Sequence, residues 1–259
     1  MFTFRNTTLV FFILLAALNI LGFSGFPVHY YEYILLIILY LGVSVSMSFF
    51  IRSGYHMKAL CRAVTNEKIV ALTFDDGPDS KLTPKLLDDL KSLGLPAAFF
   101  CIGNKIKGNE EILVRITREG HLIGTHSFTH SNWFDLFSPA RMRKELKDSA
   151  LAVAEATGLK PLLFRPPYGV INPMLKRALY GSGFYVTGFS NRAWDTSGRK
   201  KEVILGRILK HLKPGDIILL HDTIPESVDF IHDLAEKIKT AGYRIVPLDQ
   251  LLNIQAYEI

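Results

Sequence analysis

Two short motifs in the sequence supply the side chains of a possible metal site. The motif TFDDGP contributes the adjacent carboxylates of Asp75 and Asp76, and the later motif HSFTH contributes His126 and His130, which are four positions apart. One aspartate and two histidines make three protein ligands, the number that a catalytic Zn²⁺ site uses when its fourth position stays open for water. The second carboxylate, left free beside the ligands, could deprotonate that water.

Each motif also has an ordinary structural explanation. A DDG sequence after a strand is more often a turn than a metal site, because Asp and Gly suit turns for local reasons. Two histidines four positions apart often belong to a solvated helix face. When both motifs follow strands of one α/β domain, however, a shared site is the better interpretation.

The elements that must position these residues follow from an alternation of apolar and amphipathic segments. From Lys68 onward, short apolar runs alternate with amphipathic stretches at intervals of about 25 residues, which is typical of repeated βα units. The predicted strands are 69–74, 97–102, 122–125, 162–164, 184–189, 216–220 and 244–246. The predicted helices are 83–93, 110–119, 139–157, 173–182, 201–212 and 226–241.

Polar residues that could do chemistry come at or just after the C-terminal ends of the predicted strands. They are Asp75, Asp76, His126, Arg165, Asp195 and His221. A closed or nearly closed α/β barrel brings these strand ends onto one rim. Doubly wound open sheets also bind ligands at the carboxyl ends of their strands. The pattern therefore supports an α/β fold more firmly than it supports closure of a barrel.

Four motifs of this sequence resemble, in order and spacing, those of the polysaccharide deacetylase family, also known as NodB homology or carbohydrate esterase family 4. They are TFDDGP, HSFTH, RPPYG at residues 165–169 and ILLHD at residues 218–222. The resemblance covers roughly residue 68 to the C-terminus. It implies an α/β fold, a deformed barrel of (β/α)7 type.

The resemblance also implies roles for the first two motifs and for the arginine of the third. Asp76, His126 and His130 would hold a divalent metal, usually Zn²⁺, and Asp75 would be the catalytic base. Arg165 would orient that base, and the ion pair would favour the charged carboxylate. The alternative for Arg165 is an ordinary surface arginine, although the two prolines after it stiffen the turn.

The remaining implied roles concern the leaving group and the acyl group. The backbone N–H of Tyr168 would help to hold the oxyanion, and Leu219 would form part of the small pocket for the acetyl methyl group. His221 would be the general acid that protonates the departing amine, a task that suits a side chain titrating near neutral pH. A satisfied core histidine at a strand end is the alternative for His221.

One motif of the family is altered in this chain. The family often has two aspartates three apart followed by Trp, whereas this sequence reads Arg192, Ala193, Trp194, Asp195 and Thr196. Asp195 fits the second aspartate, which would pair with the general acid and raise its pKa. Arg192 stands in place of the first aspartate, and Thr196 replaces the tryptophan of the groove wall. Trp194 comes one place early and, in a strand, would point to the other face. We expect these changes to affect the sugar groove more than amide hydrolysis.

The N-terminal part of the chain contains two apolar runs. No Lys, Arg, Asp or Glu lies between Arg5 and Glu32 or between Glu32 and Arg52. Each run is about long enough to cross a bilayer core of roughly 30 Å as a helix. A cleavable signal peptide is the alternative for the first run, and a buried core helix is the alternative for the second. The predicted organisation is a membrane anchor over residues 1–67, formed by a transmembrane helical hairpin and a basic juxtamembrane segment, and a catalytic domain over residues 68–259.

Basic residues flank the two runs but are absent from the loop between them. Arg5 precedes the first run, and Arg52, Lys58, Arg62 and Lys68 follow the second. The positive-inside rule therefore places both ends of the hairpin in the cytoplasm. A cytoplasmic rim at the inner, or cell, membrane would meet lipid-linked or nucleotide-linked amino sugars, whereas an enzyme on the opposite side would meet peptidoglycan or another N-acetylated polymer.

Charge and cysteine content exclude other classes of partner. The formal charge of +6 divides evenly between residues 1–68 and the remainder, so nothing marks a nucleic-acid interface. The basic juxtamembrane residues are better explained as a contact with membrane lipid. With only Cys61 and Cys101, a disulfide framework is not expected.

The sequence thus predicts a metal-dependent hydrolase that removes an N-acyl group, acetyl in the first instance, from an amino sugar in a glycan or glycolipid. Two alternatives remain open. One is a glycan-binding module without turnover, and the other is an O-acetyl esterase that uses the same metal and base on a different leaving group.

Overall fold

Parallel pairing joins all the named strands of the protein into one sheet. The structure is a computed structural model that describes residues 2–258. Its strands are β1 Ile69–Asp75, β2 Ala98–Cys101, β3 Leu122–Thr125, β4 Leu163–Phe164, β5 Tyr185–Val186, β6 Asn191–Arg192, β7 Ile217–His221 and β8 Arg244–Ile245. Its helices are α1 Phe4–Phe23, α2 Tyr30–Ser48, α3 Leu82–Leu93, α4 Glu110–Arg118, α5 Pro139–Thr157, α6 Pro173–Leu179, α7 Lys201–Lys210, α8 Pro225–Asp229, α9 Ile231–Thr240 and α10 Leu248–Leu252.

The sheet forms an incomplete barrel. Its strand order is β5-β4-β3-β2-β1-β7-β6, and β8 pairs with the start of β1. Within residues 2–258, no pairing joins β5 to β6. The chain between them bridges the gap, since the Thr187 N–H donates to the Phe164 carbonyl at 2.8 Å and the Ser190 N–H donates to the Ile217 carbonyl at 3.1 Å. The predicted α/β fold, a deformed barrel of (β/α)7 type, is confirmed.

Most predicted elements coincide with observed ones, and the exceptions have physical causes. The strand predicted at 184–189 shortens to β5, because the next two carbonyls accept hydrogen bonds from the side chain of Arg165 instead of a neighbouring strand. The helix predicted at 226–241 divides into α8 and α9 at Phe230, whose ring is fully buried and whose backbone leaves the helical range at φ −100° and ψ 7°. The short β6 and α10 were not predicted.

Helices cover the sheet with apolar stripes at helical spacing. In α3, the side chains of Leu86, Leu87 and Leu90 are fully buried and belong to the same apolar cluster as Phe74 of β1. The helix then ends at Gly94, whose φ of +63° is the left-handed conformation that glycine adopts without steric cost. This packing fixes the carboxyl end of β1, where the paired carboxylates begin.

The two N-terminal helices differ from the others because they bury almost nothing. Both α1, with 20 residues, and α2, with 19, are long and apolar enough to cross a membrane. In α1 no residue is buried, and in α2 only Ser48 is buried. A buried core helix is therefore excluded for the second run. The two helices pack against each other, with the rings of Phe11 and Tyr40 stacked at 4.5 Å, as expected for a hairpin.

The hairpin is joined closely to the catalytic domain. The carbonyl of Ser48 accepts a hydrogen bond from the Ile171 N–H at 2.9 Å, and the Phe4 N–H donates to the Tyr55 carbonyl at 2.9 Å. Ile51 is buried in the cluster that contains β4 and α6. The C-terminal end of α2 thus lies directly beside the segment that follows the RPPYG motif.

Residues after the hairpin also pack along the barrel. Leu60 pairs with Thr187 at the open seam, and Arg62 pairs with Asp216 at the start of β7. The boundary between residues 67 and 68 remains a proposal based on sequence, and the segment before it makes these specific contacts with the catalytic domain.

Candidate metal centre and active site

Strands β3, β2, β1 and β7 are consecutive in the sheet, and their carboxyl ends bring the TFDDGP, HSFTH and ILLHD motifs together. Asp75 is the last residue of β1 and lies in register with His221, the last residue of β7. On the other side, β2 separates β1 from β3, and His126 directly follows β3. Because all these strands are parallel, their carboxyl ends lie on one rim, as the sequence pattern predicts.

The three proposed ligands have the spacing of a mononuclear metal site. The Nε2 atoms of His126 and His130 lie 3.6 and 3.4 Å from Oδ1 of Asp76. The three ligand atoms all lie within 4.8 Å of one another. Two ligands that are each about 2.0–2.1 Å from a tetrahedral ion lie about 3.3–3.4 Å apart. The three side chains are therefore already close to the arrangement that one small divalent cation requires.

Hydrogen bonding leaves these ligand atoms free for a cation. Oδ1 of Asp76 is buried and has no hydrogen-bond partner among the described residues. Nδ1 of His126 lies 2.8 Å from the Arg165 carbonyl, so it carries the proton and Nε2 keeps its lone pair. Burial, and then the neighbouring His126, lower the pKa of His130, which favours the neutral ring that binds metals. The residues present thus fit a divalent metal.

A buried glutamate holds the HSFTH loop in place. Oε2 of Glu145 on α5 accepts hydrogen bonds from the N–H groups of Phe128 at 3.0 Å and Thr129 at 2.8 Å, and the Thr129 hydroxyl donates to the same carboxylate. His130 itself has a φ of +48°, and its N–H donates to Oγ of Ser127 at 3.0 Å. A non-glycine residue in this region needs surrounding structure to hold it there. Glu145 supplies part of that structure and was not recognised in the sequence, although helical spacing places it on the buried face of α5.

The base proposed from the sequence lies in a buried ion pair. Oδ1 of Asp75 is 2.6 Å from a guanidinium nitrogen of Arg165, and that nitrogen also donates to Oγ1 of Thr73 at 2.9 Å. The other donors of the guanidinium bind the carbonyls of Thr187 and Gly188 at 3.3 and 3.0 Å. Burial lowers the pKa of Arg165, and the charge of Asp75 opposes this effect. With 0% of its surface exposed, Arg165 is not a surface arginine.

The ring of Phe100 completes the surroundings of this arginine. The guanidinium carbon of Arg165 lies 3.9 Å from the centre of that ring. Four protein acceptors and one aromatic face therefore fix the guanidinium in a single orientation. The carboxylate of Asp75 is held by it, and its second oxygen, Oδ2, lies 3.8 Å from Nε2 of His126 beside the metal ligands.

The second acid–base group of the rim is a histidine–aspartate pair. Nδ1 of His221 lies 2.9 Å from Oδ1 of Asp195. The other carboxylate oxygen accepts hydrogen bonds from the His221 N–H at 2.8 Å and from the Ser227 hydroxyl at 2.5 Å. Burial by itself lowers the pKa of His221, but the hydrogen bond and charge of Asp195 outweigh it, so the pKa is raised. For Asp195, burial acts to raise the pKa and these hydrogen bonds and charges lower it overall. His221 lines the same cavity as the proposed metal ligands, and its Nε2 lies 3.9 Å from Oδ2 of Asp76.

Asp75, His221 and the three proposed metal ligands line one cavity of about 220 Å³. The wall also includes Tyr168, Gly169, Phe189, Arg192, Thr196 and Leu219. Leu219 is buried, as a contact for a small apolar group would be. Larger grooves elsewhere on the surface carry no converging acid, base and ligand groups, so chemistry and not size identifies this cavity as the candidate site.

Two aromatic residues occupy unusual backbone conformations at the edge of the cavity. Tyr168 has a φ of +57°, its ring lies 4.9 Å from that of His130, and its hydroxyl donates to Oδ1 of Asn132 at 2.7 Å. Trp194 has a φ of +61° and lies after β6, so it is not in a strand as its position had suggested. Its ring packs at 4.4 Å from the guanidinium of Arg192.

A further carboxyl group below the rim was not recognised in the sequence. Asp222 is buried, and its Oδ2 accepts a hydrogen bond from Oγ1 of Thr83 at 2.6 Å. Burial raises the pKa of Asp222 to about 7. A Cβ on Gly77 would lie 2.1 Å from Oδ2 of Asp222. The glycine of the DDGP sequence is therefore required where the turn passes over this carboxyl group.

Parallel strands, a histidine and aspartate metal site and two acid–base pairs on the rim define a metal-dependent α/β-barrel hydrolase. Comparison with known proteins gives the family. Residues 62–186 match the family model described as polysaccharide deacetylase. A peptidoglycan-N-acetylglucosamine deacetylase of Bacillus cereus is 35% identical over 195 residues, which cover 73% of this chain and 90% of that protein. The chain belongs to the polysaccharide deacetylase family.

Other relatives agree in fold and in the type of reaction. The peptidoglycan-N-acetylmuramic acid deacetylase PdaC of Bacillus subtilis is 33% identical over 190 residues, although the match spans only 40% of its length. A crystal structure of a peptidoglycan N-acetylglucosamine deacetylase superposes with a TM-score of 0.73 at 30% identity, covering 77% of this chain and 95% of the other. The chitin deacetylase of Colletotrichum lindemuthianum gives 0.72 at 26% identity, covering 78% and 95%. The prediction of an amino-sugar deacetylase is thereby confirmed at the level of the family.

Proposed function

We propose that this protein is a membrane-anchored, metal-dependent deacetylase that removes the acetyl group from an N-acetylated amino sugar at the membrane surface. The observation that carries the proposal is the common cavity. It is lined by the ligand set of Asp76, His126 and His130 together with Asp75 and His221. Arg165 and Asp195 hold these last two side chains from behind. The named relatives act on peptidoglycan or chitin, whose sugars carry this type of amide.

The ligand set favours zinc among the divalent metals. Two imidazole nitrogens and one carboxylate oxygen suit Zn²⁺, which leaves a fourth position open in catalytic sites. When bound, such an ion would polarise the amide carbonyl and lower the pKa of a water molecule. Side chains of the protein carry out the proton transfers.

Asp75 takes the proton from the attacking water in this proposal. Its carboxylate lies beside the ligands without being one of the three, and Arg165 fixes its position through the 2.6 Å ion pair. No free energy is needed to orient the base during the reaction, because the guanidinium that holds it is already immobilised. The backbone N–H of Tyr168 would contribute to holding the oxyanion, and Leu219 would contact the acetyl methyl group.

His221 then donates a proton to the departing amine. The raised pKa of His221 keeps the ring charged closer to neutral pH, which a general acid needs. Asp195 also fixes the tautomer, since it binds Nδ1 and leaves the proton on Nε2 available for transfer.

The His221–Asp195 pair also argues against a glycan-binding module, because binding alone requires no proton donor. Fold is not sufficient here: a protein of Bacillus anthracis described as a CE4 family pseudoenzyme superposes with a TM-score of 0.69 at 25% identity, covering 74% of this chain and 70% of that one. Acetate release by the full-length protein, measured with and without a chelator, tests the proposal. Asp75→Asn and His221→Ala should each abolish most of the release. Release that is unaffected by the chelator and by both substitutions would contradict it.

Membrane side and substrate form belong to the same proposal. The charge distribution favours a cytoplasmic catalytic domain. The hydrogen bond between the Ile171 N–H and the Ser48 carbonyl supports a catalytic domain held close to the C-terminal end of α2. A lipid-linked amino sugar fits such a site. The specificity of the relatives favours an N-acetylated wall polymer on the opposite side as the second candidate.

A reporter fused to the C-terminus distinguishes the two locations, because it reads out as cytoplasmic for the first candidate and as external for the second. Parallel assays on N-acetyl and O-acetyl sugars separate the amidase from an esterase.

A further inference from the structure

A second cavity, of about 250 Å³, opens beside the catalytic cavity and is lined by cationic side chains. Its basic residues, here called the basic pocket, are Arg52, Arg62, Arg192, Arg207, His211 and Lys213. Arg192 lines both cavities, so the two adjoin at this side chain. The basic pocket uses none of the residues to which the catalytic proposal assigns a role.

Most of the positive charge in the basic pocket is not neutralised by the protein. Asp216 is fully buried, and both of its oxygens are already used, by Arg62 at 2.5 Å, by the Ser190 hydroxyl at 2.5 Å and by the Lys213 N–H at 2.8 Å. Within residues 2–258, the charged side chains of Arg52, Arg192, Arg207 and Lys213 have no carboxylate within 4.0 Å. Four cations around one cavity repel one another unless an anion is bound.

Arg192 carries the basic side chain of this pocket that lies closest to the catalytic cavity, since it lines both. Its Nε is buried and has no hydrogen-bond partner among the described residues. Its guanidinium is held between aromatic rings, 4.4 Å from the centre of Trp194 and 5.8 Å from that of Phe189. A buried donor without an acceptor is destabilising, and native proteins rarely keep one without a reason. Stacking therefore holds the Arg192 side chain in the walls of both cavities.

The position of the basic pocket relative to the membrane indicates which anion it meets. Arg52 follows the last residue of α2 by four positions, and between them Phe49 and Phe50 are exposed, as aromatic side chains at a bilayer interface are. The basic pocket therefore lies at the level where phosphate groups of membrane-bound molecules are found. Planar guanidinium groups bind phosphate oxygens in pairs, which suits a cluster of arginines.

We propose that the basic pocket binds a phosphate or diphosphate ester of the substrate, so that the amino sugar attached to it enters the catalytic cavity past Arg192. The substrate class is then an N-acetylated glycosyl phosphate or diphosphate, carried on a lipid in the membrane. This inference rests on the proposed deacetylase function and narrows its substrate. A phospholipid headgroup shares the phosphate chemistry, but the position of Arg192 in the walls of both cavities favours the substrate.

The test compares substrates that differ in phosphate and in carrier. Full-length protein in detergent is assayed for acetate release from a polyprenyl diphosphate-linked N-acetylglucosamine, from a uridine diphosphate-linked N-acetylglucosamine and from a neutral chitotetraose. Arg207→Ala and Arg192→Ala should raise KM for the lipid-linked diphosphate about tenfold or more, because each removes a charged hydrogen bond to phosphate. For Arg207→Ala, which lies outside the catalytic cavity, KM for chitotetraose should change less than about twofold. Lys210→Ala, on the exposed part of α7, is the matched control.

A binding measurement separates this inference from the deacetylase proposal. Inorganic diphosphate should bind to Asp75→Asn, which keeps the basic pocket intact, and should bind about tenfold more weakly when Arg207→Ala is added. If the wild type releases no acetate from any substrate while diphosphate still binds in this way, the deacetylase proposal fails and the anion site stands. If both arginine variants raise KM equally for chitotetraose and for the lipid-linked diphosphate, the phosphate assignment is overturned. It is also overturned if they raise KM for neither substrate.

Two further outcomes concern the source of the phosphate. Preference for the nucleotide-linked sugar over the lipid-linked sugar would overturn the assignment of a lipid carrier. Vesicles of anionic phospholipid could displace diphosphate from Asp75→Asn while the enzyme shows no preference for phosphorylated sugars. That combination would overturn the substrate assignment in favour of a headgroup site. Thermal unfolding of each variant checks that the loss of Arg192 does not act through folding.

Discussion

The floor of the catalytic cavity and its outer wall differ in how completely their side chains are partnered. On the floor, the ion pair of Asp75 and Arg165 is buried, and each of the three guanidinium nitrogens donates at least one hydrogen bond. On the wall, the Nε of Arg192 is buried and finds no partner within residues 2–258, and Thr196 is exposed. The floor carries residues shared with the family motifs, whereas the part of the wall formed by Arg192 and Thr196 carries the substitutions. The comparison indicates that the floor determines the reaction and that the wall determines which sugar is bound.

The largest expected effect is on the floor, where the base is a single carboxylate. Asp75→Asn keeps the shape of the side chain and removes its ability to take a proton, so kcat should fall by about 10²–10⁴-fold, the range for loss of general base catalysis. The same variant should still bind Zn²⁺, because Asp75 is not one of the three ligands. Zinc affinity measured by competition with a chelating dye provides that control. A variant that keeps kcat within about twofold would remove Asp75 from the mechanism.

A smaller effect is expected one layer below the floor, where Glu145 holds the histidine loop. Glu145→Gln replaces the charged acceptor of two N–H groups by a neutral amide oxygen, so both hydrogen bonds weaken and the loop should be held less firmly. Metal affinity should decrease by about 10–100-fold, as for other groups that orient metal ligands. Glu155→Gln on the exposed part of the same helix is the matched control. Equal affinities of the two variants would show that the loop does not depend on Glu145.

Sequence patterns predicted the floor better than they predicted its supports. Asp76 and His130 belong to short motifs, and an alternation of strands and helices is sufficient to place such motifs on one rim. Glu145 acts from α5 through the backbone of a distant loop, so its only signal was a charge on an apolar helix face. Arg165 belongs to a motif, but its burial could not be predicted from the sequence. The acceptors of its hydrogen bonds, such as the Thr187 carbonyl, come from elements that meet only in the folded barrel.

The same distinction applies to the fold. Long periodic segments such as α5 were predicted with the observed ends, since a proline and a glycine mark them. The two-residue β6 was not predicted, because pairing with β7 creates it and no local pattern does. The break at Phe230 also depends on tertiary packing, since its ring is drawn into the core between α8 and α9.

The general acid provides a prediction of intermediate size. His221 must be protonated to act, so activity should be lost as the pH rises through its pKa. Asp195→Asn removes the charge and weakens the hydrogen bond that raise this pKa against the effect of burial. The alkaline limb of the kcat/KM profile should therefore move to lower pH, and activity at alkaline pH should fall by about tenfold or more.

The control for this prediction is Ser227→Ala, which removes one hydrogen bond to Asp195 but leaves its pairing with His221. Its alkaline limb should move less than that of Asp195→Asn. An alkaline limb that stays in place or moves upward in Asp195→Asn would assign the proton donor to another group.

The smallest expected effect lies on the outer wall and tests whether the wall selects the sugar. Thr196 lines the catalytic cavity at the position where family members often carry tryptophan. Thr196→Trp adds an exposed aromatic face on which a pyranose ring of a polymer can stack, a contact of about 0.5–1.5 kcal/mol. KM for a neutral chito-oligosaccharide should therefore decrease by roughly two- to tenfold, whereas kcat should be unchanged because the floor is untouched. Thr196→Leu, which adds apolar volume without an aromatic face, is the matched control. A change in kcat would show that the wall affects catalysis. An equal decrease of KM in both variants would show that the wall provides only general apolar contact. Either result would mean that the wall does not distinguish a polymeric substrate from a single phosphorylated sugar.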